Sequence, residues 1–143
     1  MIMDRTGLFS ENQAVTATAV STNIIDLGAT GTPYGSSSAL ARDIGKGEDV
    51  PLYCGVTASF NNLTSLTISI ETDDNAGFAS ATTVWTSPAY TLAQLATGAR
   101  YLLPDHLPVG VNERYVRLRY TVAGTAPTLG TITAGVVMSR QSN

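Results

Sequence analysis

The chain's 143 residues suffice for one domain and are too few for two, and a chain of this size buries enough surface to dispense with disulfides and metals, in keeping with its single cysteine, Cys54. Charged residues make up 13% of the chain, with 11 acidic and 8 basic, where ordinary globular domains carry about 25%. One lysine, Lys46, and scattered arginines form no basic patch, which argues against nucleic-acid binding, and a weakly charged surface of hydroxyls and amides suits a protein that packs against its own copies or a large partner.

In chain order, residues 1–13 read as an N-terminal arm. Ile2, Met3, Leu8 and Phe9 are scattered in it with neither the helical nor the strand period, so a neighbouring subunit or a partner's surface is expected to cover them, the alternative being that the arm folds back over an open end of its own sandwich. Its start, Met1-Ile2-Met3-Asp4-Arg5-Thr6-Gly7, has no basic leader and no apolar stretch of signal-peptide length, and no later run approaches a membrane span. Cytoplasmic synthesis and no membrane partner are therefore expected, and the free thiol agrees with a reducing compartment.

Residues 14–143 read as a single β-sandwich domain. Val15, Ala17 and Ala19 alternate as an early strand, and 23–27 is a weaker one. A Gly/Ser-rich excursion over 28–49 holds Tyr34 and Arg42, and a loop of such length is usually functional. Strands follow at 50–57, at Leu66, Ile68 and Ile70 with Thr67, Ser69 and Glu71 on the other face, and at 82–86. The stretch 92–96, closed by Thr97-Gly98, is a helical turn serving as a connector. Residues 100–103 form another weak strand. Val116, Leu118, Tyr120 and Val122 then face inward while Arg117 and Arg119 point outward together, and Ile132, Ala134, Val136 and Met138 share the last face. About eight strands without amphipathic helices between them exclude βαβ units and point to a two-sheet antiparallel sandwich of jelly-roll type.

The chemistry-bearing residues are sparse. His106, the lone histidine, sits in a Pro-rich turn beside Asp105, which is too close in sequence to orient it, and no G-x-S-x-G elbow is present. Cys54 has no activating histidine and reads as a core residue. One Cys and one His cannot make a zinc or iron site. Asp73-Asp74-Asn75 could offer oxygens to calcium, but turn chemistry explains the triplet and the EF-hand spacing is missing. The Gly-rich pieces at 28–32 and 45–47 lack a phosphate-loop ending. Glu48, Asp49, Glu71 and Glu113 are too dispersed to be paired for glycoside hydrolysis from sequence. Asn62-Leu63-Thr64 is a formal glycosylation sequon that reads as part of a turn. No enzyme activity, metal or cofactor is expected.

Phe9-Ser10-Glu11-Asn12-Gln13-Ala14-Val15-Thr16-Ala17-Thr18-Ala19, followed by Ser21-Thr22-Asn23-Ile24-Ile25-Asp26-Leu27-Gly28, resembles the small cement, or decoration, proteins of tailed-bacteriophage capsids. Arg42-Asp43-Ile44-Gly45-Lys46-Gly47-Glu48, Glu71-Thr72-Asp73-Asp74, Tyr120-Thr121-Val122-Ala123-Gly124 and Thr133-Ala134-Gly135 extend the likeness along the chain. The segment 31–41 is longer than that family's pattern. The resemblance implies a jelly-roll-like fold, a place on the outer capsid surface of the virion, the major capsid protein as partner, and self-association as a homodimer or homotrimer bridging capsomers. Ile2, Met3, Leu8, Phe9, Tyr34 and Arg42 are the candidate capsid or subunit contacts. The other reading is a jelly-roll receptor- or carbohydrate-binding module of a phage fibre, against which stands the single tryptophan, Trp85.

Overall fold

The structure, a computed structural model, describes residues 2–47 and 49–140. Its strands are β1 (Met3–Ala14), β2 (Ala19–Val20), β3 (Ile25–Asp26), β4 (Leu52–Ala58), β5 (Leu63–Asp73), β6 (Thr82–Thr86), β7 (Tyr90–Thr91), β8 (Tyr115–Gly124) and β9 (Thr131–Val137). The only helical piece among the described residues is a 3-10 turn, Leu92–Leu95, whose Gln94 Oε1 accepts the Thr91 N–H at 2.9 Å. No helix here is long and apolar enough to cross a membrane.

Two antiparallel sheets form a sandwich. One has the order β1-β9-β4, and the other β2-β8-β5-β6, with β3 also on β8 and β7 also on β5. Residues 99–107 run beside β4 through the bridges Gly55 to Arg100 and Pro51 to His106 and through hydrogen bonds such as Val56 N–H to Ala99 O (2.9 Å) and Leu107 N–H to Val50 O (2.9 Å). If β2 is taken with β3, β6 with β7, and 99–107 as a lane of its own, the sandwich has eight lanes. The last lies between the first and the third in one sheet, and the chain crosses between sheets at nearly every connection, as in a jelly roll.

The core follows from the alternation. Leu66, Ile68 and Ile70 of β5, Val116, Leu118 and Tyr120 of β8, and Leu52, Cys54 and Val56 of β4 all face inward and are buried. Tyr120 is the largest fully buried side chain, and its hydroxyl meets Ser10 Oγ of the opposite sheet at 2.7 Å. Ser10 in turn donates to Gln13 Oε1 at 2.7 Å, and Gln13 Nε2 to Val20 O at 2.8 Å, so this buried chain of polar groups is satisfied.

Four expectations are corrected. The expected arm, described from residue 2 on, is not separate: β1 lies in the sheet, and Phe9, fully buried, and Leu8 are covered by their own sandwich and not by a neighbour. Register shifts against β9 interrupt β1 between Met3 and Leu8, Leu8 and Ser10, and Ser10 and Gln13, and Asn12 has a φ of 46°. Bulges of this kind turn successive residues to one side, so Leu8, Phe9 and Ser10 are buried in a row and the period of two is erased. Secondly, Val15 is buried just past the end of β1, but 16–18 is a bend, so Val15, Ala17 and Ala19 share no strand. Thirdly, 100–103 makes a single isolated bridge, at Arg100, rather than a ladder. Finally, Met138 lies beyond β9 and is exposed, because burial passes from Ala134 to Gly135 and Val137 there.

Candidate interaction surface

The excursion divides into a docked limb and a projecting one. On the docked limb, the Arg42 guanidinium donates to three main-chain carbonyls: Glu113 O at 3.2 Å, Leu27 O at 3.4 Å, and Gly28 O. Ile44 bridges to Val111. Gly45, at a φ of 98°, lies so close to the Pro108–Val109 peptide that an added Cβ would sit 2.8 Å from it, which only glycine tolerates. Residues 29–41 are exposed throughout. Their neck is closed by Leu40 N–H donating to Gly31 O at 2.9 Å, and Ser36 N–H donates to Pro33 O at 3.0 Å to form the tip turn. The product is an uncharged finger on a fixed base, with the Tyr34 ring wholly in solvent and Leu40 59% exposed.

A second apolar surface lies at the start of β1. Ile2 is 68% exposed and its carbonyl accepts the Met138 N–H at 3.3 Å, which sets two apolar side chains beside one another. With Gly7, Val136 and Val137 they line a shallow hollow of about 380 Å³. An adjoining, more enclosed hollow of about 350 Å³ opens between the sheets among Phe9, Ile25, Leu27, Ile44, Leu107 and Val116. Of the six candidate contacts, Ile2 and Tyr34 are exposed, Met3 is half-buried at the edge, Leu8 and Phe9 belong to the core, and Arg42 acts on the chain's own carbonyls. Nothing in the local patterns singled out Leu40 or Met138. Leu40 closes a Ser-rich run and Met138 follows the alternation of β9, so both carried the wrong signal.

Several of the groups weighed for chemistry are engaged within the fold. Glu71, on the outer face of β5, accepts Arg117 Nε at 2.7 Å and Arg119 Nε at 2.5 Å, and Arg117 stacks over the Phe78 ring at 4.0 Å. Burial pushes the Glu71 carboxyl up, but the hydrogen bonds and charges of the two arginines outweigh it and hold the carboxyl below its usual range. Asp73 accepts the N–H groups of Asn75 (2.8 Å) and Ser80 (2.7 Å), and Asn75 Oδ1 accepts Gly77 N–H at 2.7 Å. Those oxygens fasten the turn after β5, as its turn chemistry suggested. Burial, followed by the charges of Asp74 and Asp73, raises the Glu113 carboxyl. Burial pushes the Cys54 thiol up to about 12, which keeps it protonated and unreactive. His106 Nε2 lies 3.9 Å from Asp49 rather than from Asp105, whose carboxylate pairs with Arg140. Glu48 lies outside the described residues.

The Bbp16 family model matches residues 9–138, from the middle of β1 to just past β9, with the finger inside the matched span. The chain belongs to the Bbp16 family. This is a phage-type family, and the match covers the whole jelly roll of this Bbp16-family chain apart from the first residues of β1. No curated protein matches the chain.

Proposed function

We propose that this Bbp16-family chain is a non-enzymatic structural protein of a phage virion that decorates the outer surface of the capsid, binding the major capsid protein and other copies of itself. The finger carries the reading: an uncharged run, 29–41, that presents Tyr34 and Leu40 to solvent while Arg42 holds its base on three carbonyls. Exposed apolar side chains on a fixed projection are costly for a free monomer and useful to one that docks. A capsid lattice presents the same contact many times, so a modest interface suffices for high occupancy.

Co-sedimentation with phage heads assembled without the protein, followed by particle imaging, tests the proposal. Wild type is expected to pellet with heads and to appear as regular outer density. Tyr34→Ala with Leu40→Ala is expected to weaken binding by about tenfold, the equivalent of about 1.4 kcal/mol, with an unchanged thermal melt. Density at a fibre tip, or binding that ignores the finger, would overturn it.

A further inference from the structure

A jelly roll has four sheet edges, and three of them are blunted here in the ways proteins use to prevent strand addition. The β1 edge carries exposed Asp4, Arg5 and Glu11 and three register shifts, and spends the Thr6 N–H on Asp4 Oδ1 (3.0 Å) and the Phe9 carbonyl on Asn23 N–H (2.9 Å). The edge beside β8 is broken into two two-residue pieces, β2 and β3, and the Asp26 carboxylate there is taken by Arg114. The 99–107 lane is irregular and holds Arg100, Pro104, Asp105 and His106.

The fourth edge is different. It is formed by β6, and no Asp, Glu, Lys, Arg or His occurs between Asp74 and Arg100. Thr82, Thr83 and Thr86 are exposed, Val84 and Trp85 are half-buried, and β6 pairs with β5 on one side only. Its outward backbone groups meet no loop or side chain of the described residues. A single bulge, opposite Ile70 and Glu71, interrupts β6, and the break at Ser87-Pro88-Ala89 separates it from β7 farther along the same edge.

We infer that β6 is the self-association edge of this protein, pairing antiparallel with β6 of a second copy about a two-fold axis so that the two larger sheets become one. This deepens the self-association in the proposed function and rests on it. The absence of charge selects a second copy over another partner. In an isologous antiparallel pair residues equidistant from the axis face one another, so a charge at the axis would meet its own copy and any other would be duplicated within a strand of five residues, which destabilises pairing. An uncharged strand rich in threonine and β-branched residues has no such conflict and gains a cross-strand threonine pair, Thr82 with Thr86, when the axis passes at Val84.

The test compares wild type with Thr82→Lys/Thr86→Lys, which places like charges on the edge at exposed positions. Thr16→Lys/Ala17→Lys, in the exposed bend after β1, serves as control. Sedimentation equilibrium up to on the order of 100 µM is expected to give dimers for wild type and control and monomers for the edge variant. At concentrations low enough to dissociate the dimers the thermal melts should agree, and only the dimers should show a dilution-dependent shift in the emission of Trp85, the single tryptophan. Should the double variant misfold, Thr83→Lys replaces it. A wild type that is monomeric or trimeric, or an edge variant that remains dimeric, overturns the inference. A dimeric edge variant that no longer binds heads also overturns it, since the edge would then take a strand of the capsid protein. Wild type that dimerises through this edge but leaves heads unbound retires the capsid proposal alone, and a monomer that binds heads retires this inference alone.

Discussion

Glu71 sits where the outer face of the larger sheet stops being a solvent face. Its side chain is 6% exposed and that of Arg117 11%, whereas Arg119 remains 38% exposed. Removing the carboxylate leaves Arg117 as a cation with little water around it, so Glu71→Ala is expected to cost about 3 kcal/mol in urea or thermal unfolding, with most of the loss due to Arg117. The pH dependence has a definite sign. The folded carboxyl titrates below its ordinary value of 4.5, so its contribution is complete above that pH and is lost as pH falls through the lower folded value. Melts of wild type between pH 7 and 3 should therefore decline on the acid side, and Glu71→Gln should flatten that part of the decline. Alternation alone placed Glu71, Arg117 and Arg119 on outward faces. It could not show that β5 lies beside β8 with Glu71 opposite Arg117, because strand order has no local signature.

The finger shows the same division at the level of an element. Its existence was legible from the Gly/Ser-rich composition and length of 28–49, and its apolar tip from Tyr34. The role of Arg42 was not, since the acceptors it grips are main-chain carbonyls, which every residue type supplies equally. Arg42→Ala removes charged donors from Leu27 O, Gly28 O and Glu113 O, and a hydrogen bond to a charged group contributes about 1.5 to 3 kcal/mol. The base should then open more often while the two sheets stay intact. Chymotrypsin, which can cut after Tyr34 and is indifferent to Arg42, should cleave the variant at least about tenfold faster than wild type, with little change in the global melt. Equal cleavage rates would mean that Ile44 and Gly45 alone secure the base.

Across the whole molecule, the two sheets are joined by the core and by polar contacts that include Tyr120 to Ser10 and Gln13 to the Val20 carbonyl, and β1 supplies one side of each. The jelly roll was legible from the number and spacing of the strands and from the lack of helices. The position of β1 was hidden, because its bulges place Leu8, Phe9 and Ser10 inward in sequence and so mimic a segment with no period of its own. The two views of residues 1–13 lead to opposite experiments. An arm lent to a neighbour could lose Phe9 without harm to the monomer. A strand of the sandwich could not, since Phe9 is fully buried among core residues and truncating such a side chain to alanine costs about 3 to 5 kcal/mol, a large share of the roughly 5 to 15 kcal/mol that holds a domain folded. Phe9→Ala is therefore expected to lower the urea midpoint sharply at every protein concentration, because the loss lies within one chain. Ile2→Ala, at a side chain 68% exposed, should stay within about 0.5 kcal/mol of wild type and show any effect only in association. If Phe9→Ala unfolds like wild type when dilute and fails only in assembly, β1 belongs to a neighbouring subunit after all.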